Sequence, residues 1–108
     1  MAELTTYRNY VAGEFRATDQ TIPVENPATG EVLAYAPRAT PADVDDALQA
    51  AFDAKKSWAL TPAPERASYL TKLAQAIRAH EAMFTDILVK DQSKTPELAN
   101  VEVLFTAD

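Results

Sequence analysis

The spacing of hydrophobic residues changes once along the chain, near Thr40. Before this point, the short runs at 9–11, 14–16 and 22–25 are bounded by turn residues and predict extended strands. Residues 32–36 are apolar at every position, which is typical of a strand that is covered on both faces. After Thr40, apolar residues recur at intervals of three and four, which predicts helices. The chain is therefore expected to form strands first and helices afterwards.

Two turns are predicted among the strands. Ala12 and Gly13 connect the first two runs as a two-residue hairpin turn. A primed turn would place Ala12 at positive φ, at a cost of roughly 1–2 kcal/mol. A type II turn would place only Gly13 there, but it matches the strand twist less well. The second turn, at 26–30, has the Asn, Pro and Gly composition of a type I turn. Pro23 cannot donate to a ladder, so it is expected either at a sheet edge or outside the ladder.

Three Thr-Pro pairs predict helix starts, at 40–41, 61–62 and 95–96. Each pair offers a hydroxyl N-cap and a proline at the first helical position, where the missing amide hydrogen does no harm. Asp43 adds a capping box to the first of these helices. The second helix is expected to run from about 62 to 80. A further apolar run near 83–88 either forms its own helix or continues the second with a bend.

The elements indicate an α/β chain with two regions, a hairpin and strand region at 1–38 and a helical region at 39–108. Two or three short strands are not stable alone in water. Their unpaired edges are also an association hazard. The last helix is still amphipathic at Phe105, three residues before the sequence stops. We therefore expect the chain to be one part of a larger fold.

Composition excludes several classes of function. The net charge of −6 is spread along the chain without a basic cluster, so a nucleic-acid partner is not expected. The absence of cysteine excludes disulfides, thiolate metal sites and a cysteine nucleophile within these 108 residues. No run approaches the ~20 apolar residues that span a bilayer. The start at 1–4 lacks the features of a signal peptide. These patterns predict a cytoplasmic protein with no membrane partner.

The remaining candidates for chemistry have structural explanations. Gly13 and Gly30 are the only glycines, so a glycine-built phosphate loop is excluded. His80 stands alone near a helix end, where a surface or capping role is the better explanation. The serines have no neighbouring base or nucleophile elbow. Three aspartates near 43–46 fit a helix start better than an acid–base pair. The sequence predicts no catalytic and no cofactor-binding residue in this chain.

Several segments, taken in order, resemble one family. Residues 10–15 resemble the opening hairpin of aldehyde dehydrogenases, and residues 24–33 (Val-Glu-Asn-Pro-Ala-Thr-Gly-Glu-Val-Leu) are similar to their N-terminal signature. The stretches 43–58 and 64–74 resemble the first two long helices of the family. The end of the chain, at 101–108, is most similar to the lactaldehyde/glycolaldehyde dehydrogenase group. The ordered set of motifs covers nearly the whole chain.

Two positions depart from the family pattern. Ala12 stands in the hairpin turn where the family usually has Asn or Asp. Ser93 precedes Lys94 where the family usually has Gly. Both departures concern local turn geometry and leave the order of the motifs intact.

The resemblance implies the N-terminal part of the aldehyde dehydrogenase fold, in which short strands and about four helices pack on a Rossmann-like coenzyme domain. The regions 1–38 and 39–108 would both belong to one incomplete coenzyme-binding domain. In that family a cysteine attacks the aldehyde, hydride passes to NAD or NADP, and a glutamate-activated water releases the carboxylic acid. All of these groups lie downstream of the matching segment. The chain alone is therefore expected to be inactive.

The resemblance also implies partners and one site. The partners are the remainder of the same chain, a small aldehyde such as a hydroxyaldehyde, and further copies in a dimer or tetramer. Several family members bind a monovalent cation at positions that match Val24, Glu25 and Asp91. Main-chain carbonyls and a carboxylate suit Na⁺ or K⁺. The alternative is that Asp91 is a solvated residue at the end of a helix.

Two other interpretations of the whole chain stay open. The first is a naturally short, non-catalytic α/β interaction module, or a truncated dehydrogenase relic, that acts through a full-length partner. The second is an unrelated helical binding domain with a chance signature. The order of the motifs argues against the second.

Overall fold

The computed structural model describes residues 3–108. The start at 1–4, where no signal-peptide features are expected, therefore lies partly outside the described residues. The strands come first: β1 (Asn9–Val11), β2 (Glu14–Arg16), β3 (Thr21–Glu25) and β4 (Val32–Pro37). The helices follow: α1 (Pro41–Leu60), α2 (Ala63–Ala79), α3 (Glu81–Gln92) and α4 (Pro96–Ala107). The predicted α/β order of short strands and then four helices is confirmed.

The contacts divide the chain into two compact units. The first contains the chain up to Glu25 together with Val32–Leu60, that is, all four strands and α1. The second contains the turn Asn26–Glu31 and Thr61–Asp108 with α2, α3 and α4. α1 thus groups with the strands. The division into regions 1–38 and 39–108 follows secondary structure and stays a prediction as a statement about domains.

The β1–β2 hairpin has the primed turn. Its strands pair antiparallel with Tyr10 opposite Phe15 and Val11 opposite Glu14. Ala12 has φ 52° and Gly13 has φ 83°, so both central residues lie at positive φ. Of the two turns left open by the sequence, the structure therefore adopts the one that matches strand twist and strains Ala12. The rings of Tyr10 and Phe15 lie 5.0 Å apart between centroids.

β3 and β4 form the second antiparallel pair, with Pro23 opposite Tyr35. The Tyr35 N–H donates to the Thr5 carbonyl at 3.0 Å, and the Tyr35 carbonyl accepts from the Tyr7 N–H at 2.9 Å. Since both main-chain groups of Tyr35 bond on the side away from β3, Pro23 occupies a non-hydrogen-bonded position. The nitrogen of Pro23 therefore faces the outer edge of β3, and the predicted edge location is confirmed. Ala34 is buried, and the rest of β4 is half-buried rather than fully covered within the described residues.

α1 begins at the predicted capping box. The Thr40 N–H donates to the Asp43 carboxylate at 2.7 Å, and the Asp43 N–H donates to the Thr40 hydroxyl at 3.2 Å. Arg16 of β2 pairs with Asp46 of this helix at 3.4 Å. No residue of α1 is buried. Its apolar side is exposed along its length, at Val44, Leu48, Phe52, Trp58 and Leu60.

α2 begins at Ala63, so the prediction that Thr61 caps this helix and Pro62 opens it is wrong. Pro62 is itself the N-cap, with an extended ψ of 141° and no side-chain cap bond. A hydroxyl cap serves the amides of the second and third helical residues. Here the second is Pro64, which has no amide hydrogen, and the Glu65 N–H bonds the Pro62 carbonyl at 3.0 Å. The helix therefore starts without a threonine cap.

α4 does start as predicted, because the Thr95 hydroxyl accepts from the Leu98 N–H at 3.4 Å.

The second unit has a small core on α4. Ala99, Val103 and Ala107 are buried at helical spacing, and α4 packs against α2 and α3. α2 and α3 are separate helices, interrupted at His80, whose N–H bonds the carbonyls of Ala76 and Ile77. The alternative of a distinct third helix is thus the one observed. None of the helices described for residues 3–108 is long and apolar enough to cross a membrane.

Candidate functional site

The three residues predicted for a cation site lie on the ends of two elements. Val24 is half-buried and Glu25 is exposed at the end of β3, and the register of the β3–β4 ladder shifts between these two residues. Val24 pairs with Ala34 and Glu25 pairs with Val32, so the extra residue at this irregularity is Leu33 of β4. Asp91 is exposed in the last turn of α3. Val24 and Glu25 belong to the first unit and Asp91 to the second. The cation site stays a prediction.

The turn that follows Glu25 is held by its own atoms. The Asn26 side-chain oxygen accepts from the Ala28 N–H at 2.9 Å, and the Asn26 carbonyl accepts from the Gly30 N–H at 2.7 Å. The Asn26 N–H donates to the Glu31 carbonyl at 2.8 Å. Gly30 has φ 76°, a conformation that glycine adopts without strain. A turn is thus observed at the predicted residues, and these bonds link the main chain that directly follows Glu25.

The segment after Asp91 is also fixed locally. Ser93 ends α3 in the left-handed conformation, with φ 53° and ψ 32°. The Lys94 ammonium then pairs with the Glu102 carboxylate of α4. Ser93 thus adopts a backbone conformation that suits glycine, and glycine is the residue the family usually has there. The departure from the family pattern changes the residue but keeps the backbone bend.

Two of the candidate nucleophiles and the histidine make local hydrogen bonds. The Ser57 hydroxyl donates to the Ala54 carbonyl at 3.0 Å and the Ser68 hydroxyl to the Glu65 carbonyl at 2.7 Å, so both bond within their own helices. His80 Nδ1 lies 2.8 Å from the Ala76 carbonyl, which agrees with the predicted capping role. From Glu3 onward, no group of three or more His, Cys, Asp or Glu side chains could hold a metal ion.

One carboxylate has a shifted pKa, and its cause is structural. The Thr40 main-chain N–H, followed by the Thr40 hydroxyl, holds the pKa of Asp43 below its ordinary value. Both groups donate to the ionised form, which favours it. This shift results from the helix cap. It gives Asp43 no role as an acid or base.

Asn100 is a contact residue that the sequence patterns did not reveal. It is half-buried on α4, and its side-chain nitrogen donates to the Glu81 carboxylate at 2.6 Å and to the Thr85 hydroxyl at 3.4 Å. These bonds fix α4 against the start of α3. The available signal was weak, since it consisted of one amide next to the small residue Ala99 in a helix that also carries Glu97, Glu102 and Thr106.

Open apolar surface remains on the second unit. A shallow groove between the helices is lined by five apolar residues and two polar ones, namely Ile77, Phe84, Ile87, Leu88 and Val103 with Glu102 and Thr106. On α4, Leu98 and Phe105 are mostly exposed, although the helix also has a buried side. α4 therefore carries apolar side chains on its exposed side as well as on its buried side.

The aldehyde dehydrogenase family model matches residues 15–108 of this chain. The malonate-semialdehyde dehydrogenase 1 of Geobacillus kaustophilus is 36% identical over 94% of this chain and 21% of its own length. The lactaldehyde dehydrogenase of Escherichia coli is 39% identical over 92% of this chain and 21% of its own length. The chain thus spans about one fifth of the length of these relatives.

Solved structures give the same result. The crystal structure of lactaldehyde dehydrogenase from Escherichia coli superposes with a TM-score of 0.94 and 36% identity, over 98% of this chain and 23% of that chain. The structure of 3,6-anhydro-L-galactose dehydrogenase superposes with a TM-score of 0.90 and 40% identity, over 94% of this chain and 22% of that chain. The strands and helices described above are therefore arranged as in one segment of these enzymes.

Proposed function

This chain belongs to the aldehyde dehydrogenase family, and from that premise we propose that it forms the N-terminal structural segment of an NAD(P)-dependent enzyme. The enzyme oxidises a small aldehyde to the carboxylate. The observation that carries the proposal is the likeness over nearly the whole chain to about one fifth of each relative. The similarity to lactaldehyde dehydrogenase supports a hydroxyaldehyde as the substrate.

The role of the segment itself is to support the fold. Residues 3–108 include neither a cysteine nor a glycine-built phosphate loop. They do carry large exposed apolar side chains on α1 and α4. Apolar patches of this kind mark surfaces that another part of a protein covers. We propose that the remainder of the same polypeptide covers them and supplies the catalytic groups and the NAD or NADP site, so that residues 1–108 alone are inactive.

The monovalent cation site remains part of the proposal. The main-chain carbonyls of Val24 and Glu25 and the carboxylate of Asp91 would bind Na⁺ or K⁺. The supporting observation is the oxygen chemistry of the three groups, which suits a hard cation. If K⁺ or Na⁺ binds there, calorimetric titration of the natural protein should show binding that Asp91→Ala abolishes and Asp86→Ala leaves intact. Binding that survives Asp91→Ala unchanged would remove the site.

The natural protein is further proposed to be a cytoplasmic homo-oligomer, a dimer or a tetramer, without nucleic-acid or membrane partners. Its acidic charge without a basic cluster supports the exclusion of nucleic acid. Size-exclusion chromatography with light scattering measures the oligomeric state directly.

The test begins with the coding region beyond Asp108. A continuation with a coenzyme-binding region and a catalytic cysteine supports the enzyme. A stop codon directly after Asp108 favours the alternative, a short module that acts through a full-length partner.

If the coding region continues, the natural protein should reduce NAD or NADP with lactaldehyde, with malonate semialdehyde as the competing substrate. Residues 1–108 purified alone serve as the negative control, and aldehyde oxidation by this control would refute the structural role.

A further inference from the structure

We draw no further inference here: the strongest candidate, the shallow groove between α2, α3 and α4 whose lining includes Ile77, Phe84 and Val103, is a mostly apolar face, and nothing in residues 3–108 shows what covers it.

Discussion

Replacing Ala12 by Asn should stabilise the natural protein by about 1 kcal/mol. Ala12 has φ 52° in the primed turn of the first hairpin. For a residue with a Cβ, the left-handed region costs roughly 1–2 kcal/mol. Asn and Asp tolerate this region better because their short polar side chains bond to the nearby main chain. Ala12→Gly removes the same strain but increases the entropy of the unfolded chain, which takes back roughly 0.5–1 kcal/mol. The expected order of stability is therefore Asn above Gly above Ala.

Urea unfolding followed by circular dichroism measures this order. Ala39→Asn is the matched control, because Ala39 is exposed and is not among the described residues at positive φ. For this control, the free energy of unfolding derived from the midpoint should change by less than about 0.5 kcal/mol. If Ala12→Asn and Ala12→Gly both leave the midpoint where it is, or lower it, while Ala39→Asn behaves as expected, then Ala12 is not strained and the reasoning is refuted. Ser93→Gly applies the same argument at the end of α3, with an expected gain of about 0.5–1 kcal/mol.

Three further outcomes are expected. Gly30→Ala should lower the unfolding free energy by roughly 1–2 kcal/mol, since φ is 76° and a Cβ would meet no atom within 4 Å, so that backbone strain alone acts; an unchanged urea midpoint would contradict this. Because the Thr40 N–H lowers the pKa of folded Asp43, the stabilisation from Asp43 is present above the unfolded pKa and is lost as the pH falls through the lower folded value. The midpoint difference between wild type and Asp43→Asn should therefore shrink below about pH 4, and a constant difference would refute the assignment. Asn100→Ala should cost about 1–2 kcal/mol, and Asn100→Asp more, because a second carboxylate would face Glu81; equal midpoints for the two variants would disprove the contact.

Local rules predicted the parts of the fold that local atoms determine. The hairpin at Ala12 and Gly13, the capping box at Thr40 and the cap at Thr95 each depend on residues within four positions of one another, and all three are confirmed. The predicted start of α2 is wrong because Pro64, two positions after Pro62, has no amide hydrogen that could donate to a threonine cap. Pro62 and Pro64 together therefore determine where α2 begins.

Other properties depend on distant contacts and could not be predicted. Helical spacing identifies the apolar side of α1, yet it does not reveal that this side stays exposed in the described residues. The grouping of α1 with the strands has no local signal. For the cation site, Val24 and Glu25 contribute through main-chain atoms, which any residue type has. Only the family resemblance singled them out.

Pro23 has a consequence for the order in which the polypeptide is synthesised. The chain leaves the ribosome N-terminus first, at roughly 5–20 residues per second. The residues of β3 and β4 therefore emerge before those of the helices, and the edges of this strand pair are exposed first. A strand from a neighbouring nascent chain that docks on β3 finds no donor at Pro23, in the middle of the five-residue strand. The proline therefore disfavours pairing of β3 with a strand of another chain before the helices have been synthesised.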